Sequence, residues 1–123
     1  MIGDTDVLGK LYANLDDKNR LCIPAKTGVE ENEEILIIAY AGSRYLVSKY
    51  VFDEYIADIR KQMKQPISKE QLSDLWQLYE SLCEMVIKQG RADKQHRIVV
   101  SDVYKSEDGR VEMMGLGKVI KLK

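Results

Sequence analysis

The sequence predicts an α+β fold, mainly β, in which two copies of one folding unit share a core and a helical hairpin is inserted between them. Three observations carry this. Residues 15–24 read Leu-Asp-Asp-Lys-Asn-Arg-Leu-Cys-Ile-Pro, and residues 92–101 read Ala-Asp-Lys-Gln-His-Arg-Ile-Val-Val-Ser. Both copies hold an Asp, three polar residues, an Arg and then an apolar run. A recurring unit points to two copies of one supersecondary element packed about a pseudo-twofold axis. Second, each copy is followed by the pattern of a β-hairpin. Third, between the copies the apolar period changes from that of a strand to that of a helix.

The elements follow in order. Residues 35–48, Ile-Leu-Ile-Ile-Ala-Tyr-Ala-Gly-Ser-Arg-Tyr-Leu-Val-Ser, form the first hairpin. Its first arm is an apolar strand, Ala-Gly-Ser-Arg is the turn, and Tyr45 begins the second arm. Phe52, Tyr55, Ile56, Ile59 and Met63 fall at helical spacing, so residues 51–64 form an amphipathic helix that Pro66 ends. Ser68 and Gln71 make a capping box for a second helix. Leu72, Leu75, Trp76, Tyr79, Leu82, Cys83 and Val86 are its apolar face, and Gly90 is its expected stop. Trp76 is expected to anchor packing against the sheet or a neighbouring subunit. In the second hairpin residues 110–114 are one arm, Gly115-Leu-Gly117 the turn, and residues 118–123 the other arm, which alternates with period two. Residues 1–123 therefore read as a single domain: repeat one over 9–48, helical hairpin over 49–90, repeat two over 91–123.

Composition narrows the function classes. The chain has 123 residues, 45% hydrophobic and 32% charged, as ordinary globular domains do. No apolar run approaches the roughly 20 residues that cross a membrane, and the first residues lack the pattern of a secretion signal. A cytoplasmic protein with no membrane partner is expected. Cys22 and Cys83 read as buried free thiols needing neither disulfide nor metal. The net charge of −1 does not announce a nucleic-acid partner, but residues 91–123 carry eight bases against five acids, and fields are local. There is no Gly-rich phosphate loop, His pair, Cys-x-x-Cys or nucleophile elbow, so no enzyme and no cofactor are expected. The acidic run 30–34 reads as a solvated loop and not as a metal cage.

The repeated loop holds the candidate functional residues. A reversal before a strand often needs one residue with positive φ, and Asn19 and His96 hold the equivalent position in the two copies. Asp16 and Asp93 can accept hydrogen bonds from the backbone ahead of them and pair with Arg20 and Arg97. Internal ion pairing of this kind is one reading. The other is that two related tips present Arg20 and Arg97, with Lys18 and Lys94, to an anion. DNA is the natural candidate, since Arg can fork onto guanine or phosphate while Lys neutralises phosphate as a point charge.

These residues resemble the MraZ family, within the wider AbrB/SpoVT/MazE group of DNA-binding proteins. Residues 9–24, Gly-Lys-Leu-Tyr-Ala-Asn-Leu-Asp-Asp-Lys-Asn-Arg-Leu-Cys-Ile-Pro, look like the family's opening pattern of Gly, spacer, Leu-Asp-x-Lys-Gly-Arg, apolar strand and Pro. Tyr45-Leu-Val-Ser followed by Phe52-Asp-Glu-Tyr-Ile resembles the strand that leads into the family's first helix, and Asp93 to Arg97 falls where the second copy does. The resemblance spans residues 9 to 123. It implies an AbrB-like swapped-hairpin (double-split) β-barrel built from two pseudo-repeats. It also implies a transcriptional regulator that binds repeated promoter boxes in double-stranded DNA as a homo-oligomer, with rings a form the family takes. Nucleoid association follows only from this resemblance. Carried over by residue, the DNA-reading positions are Arg20 and Arg97, with Lys18 a matched neighbour. Lys94 is placed by its loop alone. The chain departs from the pattern at Asn19 and His96, where the family has Gly, at Ser101, where it has Pro, and in the connector 102–109, which lacks a basic, helix-like segment. The competing expectation is an oligomeric interaction module that has kept the fold without DNA. An antitoxin of the MazE kind is the third, weakened because such chains normally carry one repeat.

Overall fold

The computed structural model describes residues 1–123. Eight strands and two helices follow one another: β1 (Val7–Leu15), β2 (Arg20–Cys22), β3 (Glu34–Tyr40), β4 (Ser43–Ser48), α1 (Lys49–Met63), α2 (Lys69–Met85), β5 (Val86–Arg91), β6 (Arg97–Val99), β7 (Arg110–Gly117) and β8 (Val119–Leu122). The fold is α+β and mainly β. All eight strands form one antiparallel sheet in the order β5-β3-β4-β8-β7-β1-β2-β6. Its two ends curl towards each other: a Cβ placed on Gly90 of β5 would lie 3.5 Å from the Ile98 side chain of β6. The sheet is thus a nearly closed barrel.

Each half supplies four strands, β1–β4 and β5–β8. The first strand of each half makes its longest pairing with the other half, although the end of β1 also pairs with β2. β1 pairs with β7 over eight residue pairs, from Val7 with Gly117 to Asn14 with Arg110, while β5 pairs with β3. Like pairs with like elsewhere, β4 with β8 and β2 with β6. Exchanging the two halves leaves this circular order unchanged. In the β2–β6 pair, Leu21 stands opposite Ile98, its own counterpart in the repeat, so the pseudo-twofold axis passes between them.

Alternation along the strands fills the barrel. Leu11, Leu21, Ile35, Ile37, Leu46, Ile98, Val111, Met113 and Ile120 form a continuous buried core with their neighbours. Each such side chain contributes about 1.5–3 kcal/mol by leaving water. Leu36 and Val47 point out of the barrel yet are also buried, beneath a helical cover from which α1 contributes Ile56 and Ile59. α2 starts at the Ser68–Gln71 capping box, with Ser68 Oγ accepting from Gln71 N at 3.1 Å and Gln71 Oε1 accepting from Ser68 N at 3.0 Å. Arg60 ties the helices by donating to Tyr79 Oη at 2.5 Å.

The structure departs from the sequence reading in several places. α2 ends at Met85, and residues 86–91 are strand β5, so the inserted helices span Lys49–Met85 and the second half begins at Val86. Pairing with β3 decides that segment. β7 runs straight through Gly115-Leu-Gly117, and the chain turns at Gly117 and Lys118 instead. The first hairpin turns on Ala41 and Gly42 alone, at φ 50 and 79, the conformation that matches strand twist. No residue of α2 is buried, and Trp76 is 49% exposed with only Tyr79 stacked edge-on beside it, so it does not anchor the sheet. Cys22 is half-buried and Cys83 exposed, so neither is a core thiol. Within the acidic run, Glu33 is not solvated: its carboxylate accepts from Ile2 N at 3.0 Å and Glu30 N at 3.1 Å.

Candidate nucleic-acid interface

Each repeated loop is built around one carboxylate. Asp16 Oδ1 accepts from the N–H groups of Lys18 at 3.0 Å and Arg20 at 2.8 Å, and Asp16 Oδ2 accepts from Arg20 Nε at 2.7 Å. The second copy is the same. Asp93 Oδ1 accepts from Gln95 N at 2.8 Å and Arg97 N at 2.9 Å, and Asp93 Oδ2 from Arg97 Nε at 2.8 Å. Backbone bonds close both turns, Asp16 N to Arg20 O and Asn19 N to Asp16 O, with Asp93, Arg97 and His96 repeating the pattern. Asn19 and His96 stand at φ 57 and 59. Both are among the side chains that tolerate this region best.

The loops also hold each other's strand. Val100 N donates to Asn19 O and Ile23 N to His96 O, each at 2.9 Å. They lie at opposite ends of the β2–β6 ribbon because β2 and β6 run antiparallel. On that ribbon Leu21 and Ile98 point into the barrel, so Arg20, Cys22, Arg97 and Val99 share the outer face. Arg97 reaches across it, its Nη1 coming to 3.9 Å from Asp16 Oδ2. The structure therefore brings Asp16, Arg20, Asp93 and Arg97 into one chain of ion pairs. Lys18 and Lys94 stay outside it, exposed on the tips. They are not counterparts: Lys18 matches Gln95, and Lys94 matches Asp17.

The electrostatics are balanced. The two acids offset the two arginines, and Asp17 offsets one of the tip lysines. The Asp16 and Asp93 carboxyls are held below their ordinary pKa, first by the backbone amides of Arg20 and Arg97; loss of hydration opposes this, and the guanidinium bonds and the amides of Lys18 and Gln95 add to the lowering. Both arginines spend Nε on the aspartate and leave their Nη groups without a hydrogen-bonded partner. A guanidinium pinned in this way offers a planar, oriented two-nitrogen edge to an incoming anion.

Sequence reasoning missed Cys22 and Val99, which share this face only through the β2–β6 register. It also missed a second group of cations, Arg44, Lys105, Lys121 and Lys123, which line one groove at the barrel mouth. They come from three separate segments, and no linear pattern links them. Nowhere do three His, Cys, Asp or Glu side chains lie close enough to hold a metal ion. No helix is long and apolar enough to cross a membrane.

The fold and site together define a mainly β, barrel-like domain with two aspartate-pinned arginine turns on a shared ribbon. Compared with known proteins, the chain matches no protein-family model and no curated protein.

Proposed function

We propose that this chain is a sequence-specific DNA-binding transcriptional regulator that resembles MraZ and binds repeated promoter boxes as an oligomer, in the cytoplasm at the nucleoid. One observation carries the reading. Arg20 and Arg97 lie on the outer face of one short ribbon, each with Nε fixed by an aspartate and no hydrogen bond made by its Nη edge, although Arg97 Nη1 lies 3.9 Å from Asp16. That edge suits guanine or a phosphate. Lys18 and Lys94 add phosphate contacts from the tips, while Asp16, Asn19, Asp93 and His96 shape the loops. The exchange of β1 and β5 between the halves supports the finer description of the barrel as a swapped-hairpin, AbrB-like one.

A single subunit has few contacts to offer, so affinity comes from several subunits engaging repeated sites together. Genome-wide recovery of bound DNA supplies the promoter fragment for the test. Arg20→Ala abolishes its mobility shift, and Arg20→Lys, which keeps the charge but not the fork, loses preference for that fragment over unrelated DNA. Both variants keep the parent's far-ultraviolet circular dichroism. A folded Arg20→Ala protein that shifts the fragment as well as the parent does would leave the loop purely structural.

A second reading, an oligomeric interaction module that does not bind DNA, draws on two observations. Asp16 and Asp93 offset both arginines, and α2 exposes Trp76 and Leu78. Under this reading Trp76→Ala changes the sedimentation of the assembly, and Arg20→Ala alters no DNA binding because there is none.

A further inference from the structure

The two ends of the barrel are equivalent in fold and unequal in charge. Beside the first loop, the connector after β6 leaves Val100, which is bonded to Asn19, and returns at Gly109, whose carbonyl accepts from Leu15 N at 2.7 Å. On the way it lays Val103, Tyr104 and Lys105 against the start of β4 and the end of β8. A groove of about 570 Å³ results, and its charged side chains are Arg44, Lys105, Lys121 and Lys123, with no Asp or Glu among the lining residues. Arg44 is held by a neutral partner, its Nε donating to Val103 O at 3.1 Å. Of the four cations only Lys123 has a carboxylate within 4 Å, Glu112 at 3.9 Å.

The repeat alignment that sets Asn19 on His96 also sets Tyr104 on Thr27, and the turn of Ala41 and Gly42 corresponds to that of Gly117 and Lys118. The counterpart of this groove therefore lies beside Gly28 and Lys118, and it is filled. Residues 1–3 occupy it: the Met1 ammonium donates to Gly28 O at 2.5 Å, Lys118 Nζ donates to Gly3 O at 3.0 Å, and Ile2 is fully buried. Its rim is acidic, with Asp4 at 3.1 Å, Glu30 at 3.1 Å and Glu33 at 3.7 Å from the ammonium. One end of the ribbon thus adjoins an open basic groove and the other a plugged, acidic one.

We infer that the Arg44–Lys105–Lys121–Lys123 groove is a second, sequence-independent contact for nucleic-acid phosphate, so that DNA passes from the arginine ribbon over the first loop and not over the second. The inference rests on the DNA-binding reading for its ligand but uses none of that reading's residues. Its physics is counterion release: each phosphate neutralised by a cation adds about 0.9 to the slope of log affinity against log salt. Lysine suits this role because a mobile point charge neutralises phosphate without reading a base.

The test measures fluorescence anisotropy of a promoter duplex and a random-sequence duplex across a salt series. Four proteins are compared: the parent, K105A/K121A/K123A, R20A/R97A, and K61A/K64A/K69A, which removes the same charge from the exposed helical hairpin. Arg44 is left in place because it also bonds to the backbone. The groove variant weakens both duplexes about equally and lowers the salt slope by about two to three. The helix variant keeps the parent's slope, and R20A/R97A loses preference for the promoter. A groove variant with the parent's slope overturns the inference, as does a helix variant that matches the groove variant, since net charge alone would then be acting. A parent with no salt-dependent affinity for random duplex overturns it as well. Promoter preference that persists beside an unchanged slope sinks the groove and leaves the regulator standing. A slope that falls with the groove lysines, in a protein preferring no sequence, does the reverse.

Discussion

Asp16 and Asp93 each organise a turn with two oxygens, one for the backbone and one for a guanidinium. Because folding lowers their pKa, the stabilisation they bring is fully present above the unfolded value of 3.8 and is lost as pH falls through the lower folded value. The double variant Asp16→Asn, Asp93→Asn keeps an acceptor for the backbone and loses the charge. It therefore melts below the parent at pH 7, and the difference shrinks once pH drops under 3.8, which paired thermal melts at neutral and acid pH check. A difference that persists undiminished in acid would mean the charge is not what holds the turn. The Asp–Arg pairs were legible in the sequence because partners four residues apart meet within one loop. The approach of Arg97 to Asp16 was not, because it depends on strands brought together from opposite ends of the chain. Ala41 is a different residue-scale feature. It sits at φ 50 in a two-residue turn, a region that costs a residue with a Cβ about 1–2 kcal/mol, so Ala41→Gly stabilises the protein, by about 0.5–1 kcal/mol after the added unfolded-state freedom of glycine, as denaturant titration will register.

Among the elements, the hairpin β3–β4 and helix α1 were legible because their signals are local: an apolar arm, a turn, then helical spacing closed by Pro66. β1 and β5 carry no such local signal. In β1 the outward positions include Leu8 and Tyr12, so the alternation is blurred, and Gly9 at φ 87 interrupts it. β5 follows α2 without any break, and Gly90 looks like a helix stop. Its use is instead at the closure of the barrel, where it faces Ile98 across the gap between β5 and β6. Gly115 likewise has the local look of a turn residue, and the reason it is glycine lies in a distant strand. A Cβ there would come within 2.5 Å of Val7 O and 2.9 Å of Val7 Cγ1. Gly115→Ala must push β1 off β7 and costs about 1–3 kcal/mol. Denaturant unfolding measures this, and a variant as stable as the parent would mean that the β1–β7 pairing is looser than the register implies.

On the scale of the whole molecule, the exchange of first strands makes the halves interdependent. β1 finds its long partner in β7, and β5 finds its partner in β3, so neither half can complete a sheet alone. The core is shared in the same way: Leu11 and Leu21 come from the first half, Ile98 and Met113 from the second, and they lie in one cluster. Cutting between α2 and β5 therefore separates groups that only burial together stabilises. Residues 1–85 would keep the β3–β4 hairpin and two helices but expose the faces of Ile35, Ile37 and Leu46, and residues 86–123 would keep the β7–β8 hairpin and the short strands β5 and β6. A two-stranded ribbon alone is marginal in water. The expected outcome is that each fragment, made separately, gives an unstructured or collapsed spectrum by nuclear magnetic resonance. Mixed at equal concentration, they yield the dispersed amide pattern of the intact chain, at a rate that rises with concentration. Folding of the intact chain is slow for its size, since the β1–β7 pairs close loops of about a hundred residues before any reward arrives. A first fragment that folds by itself would mean that its strands suffice within their own half, and the pairings of β1 with β7 and of β2 with β6 would not be what holds the halves together.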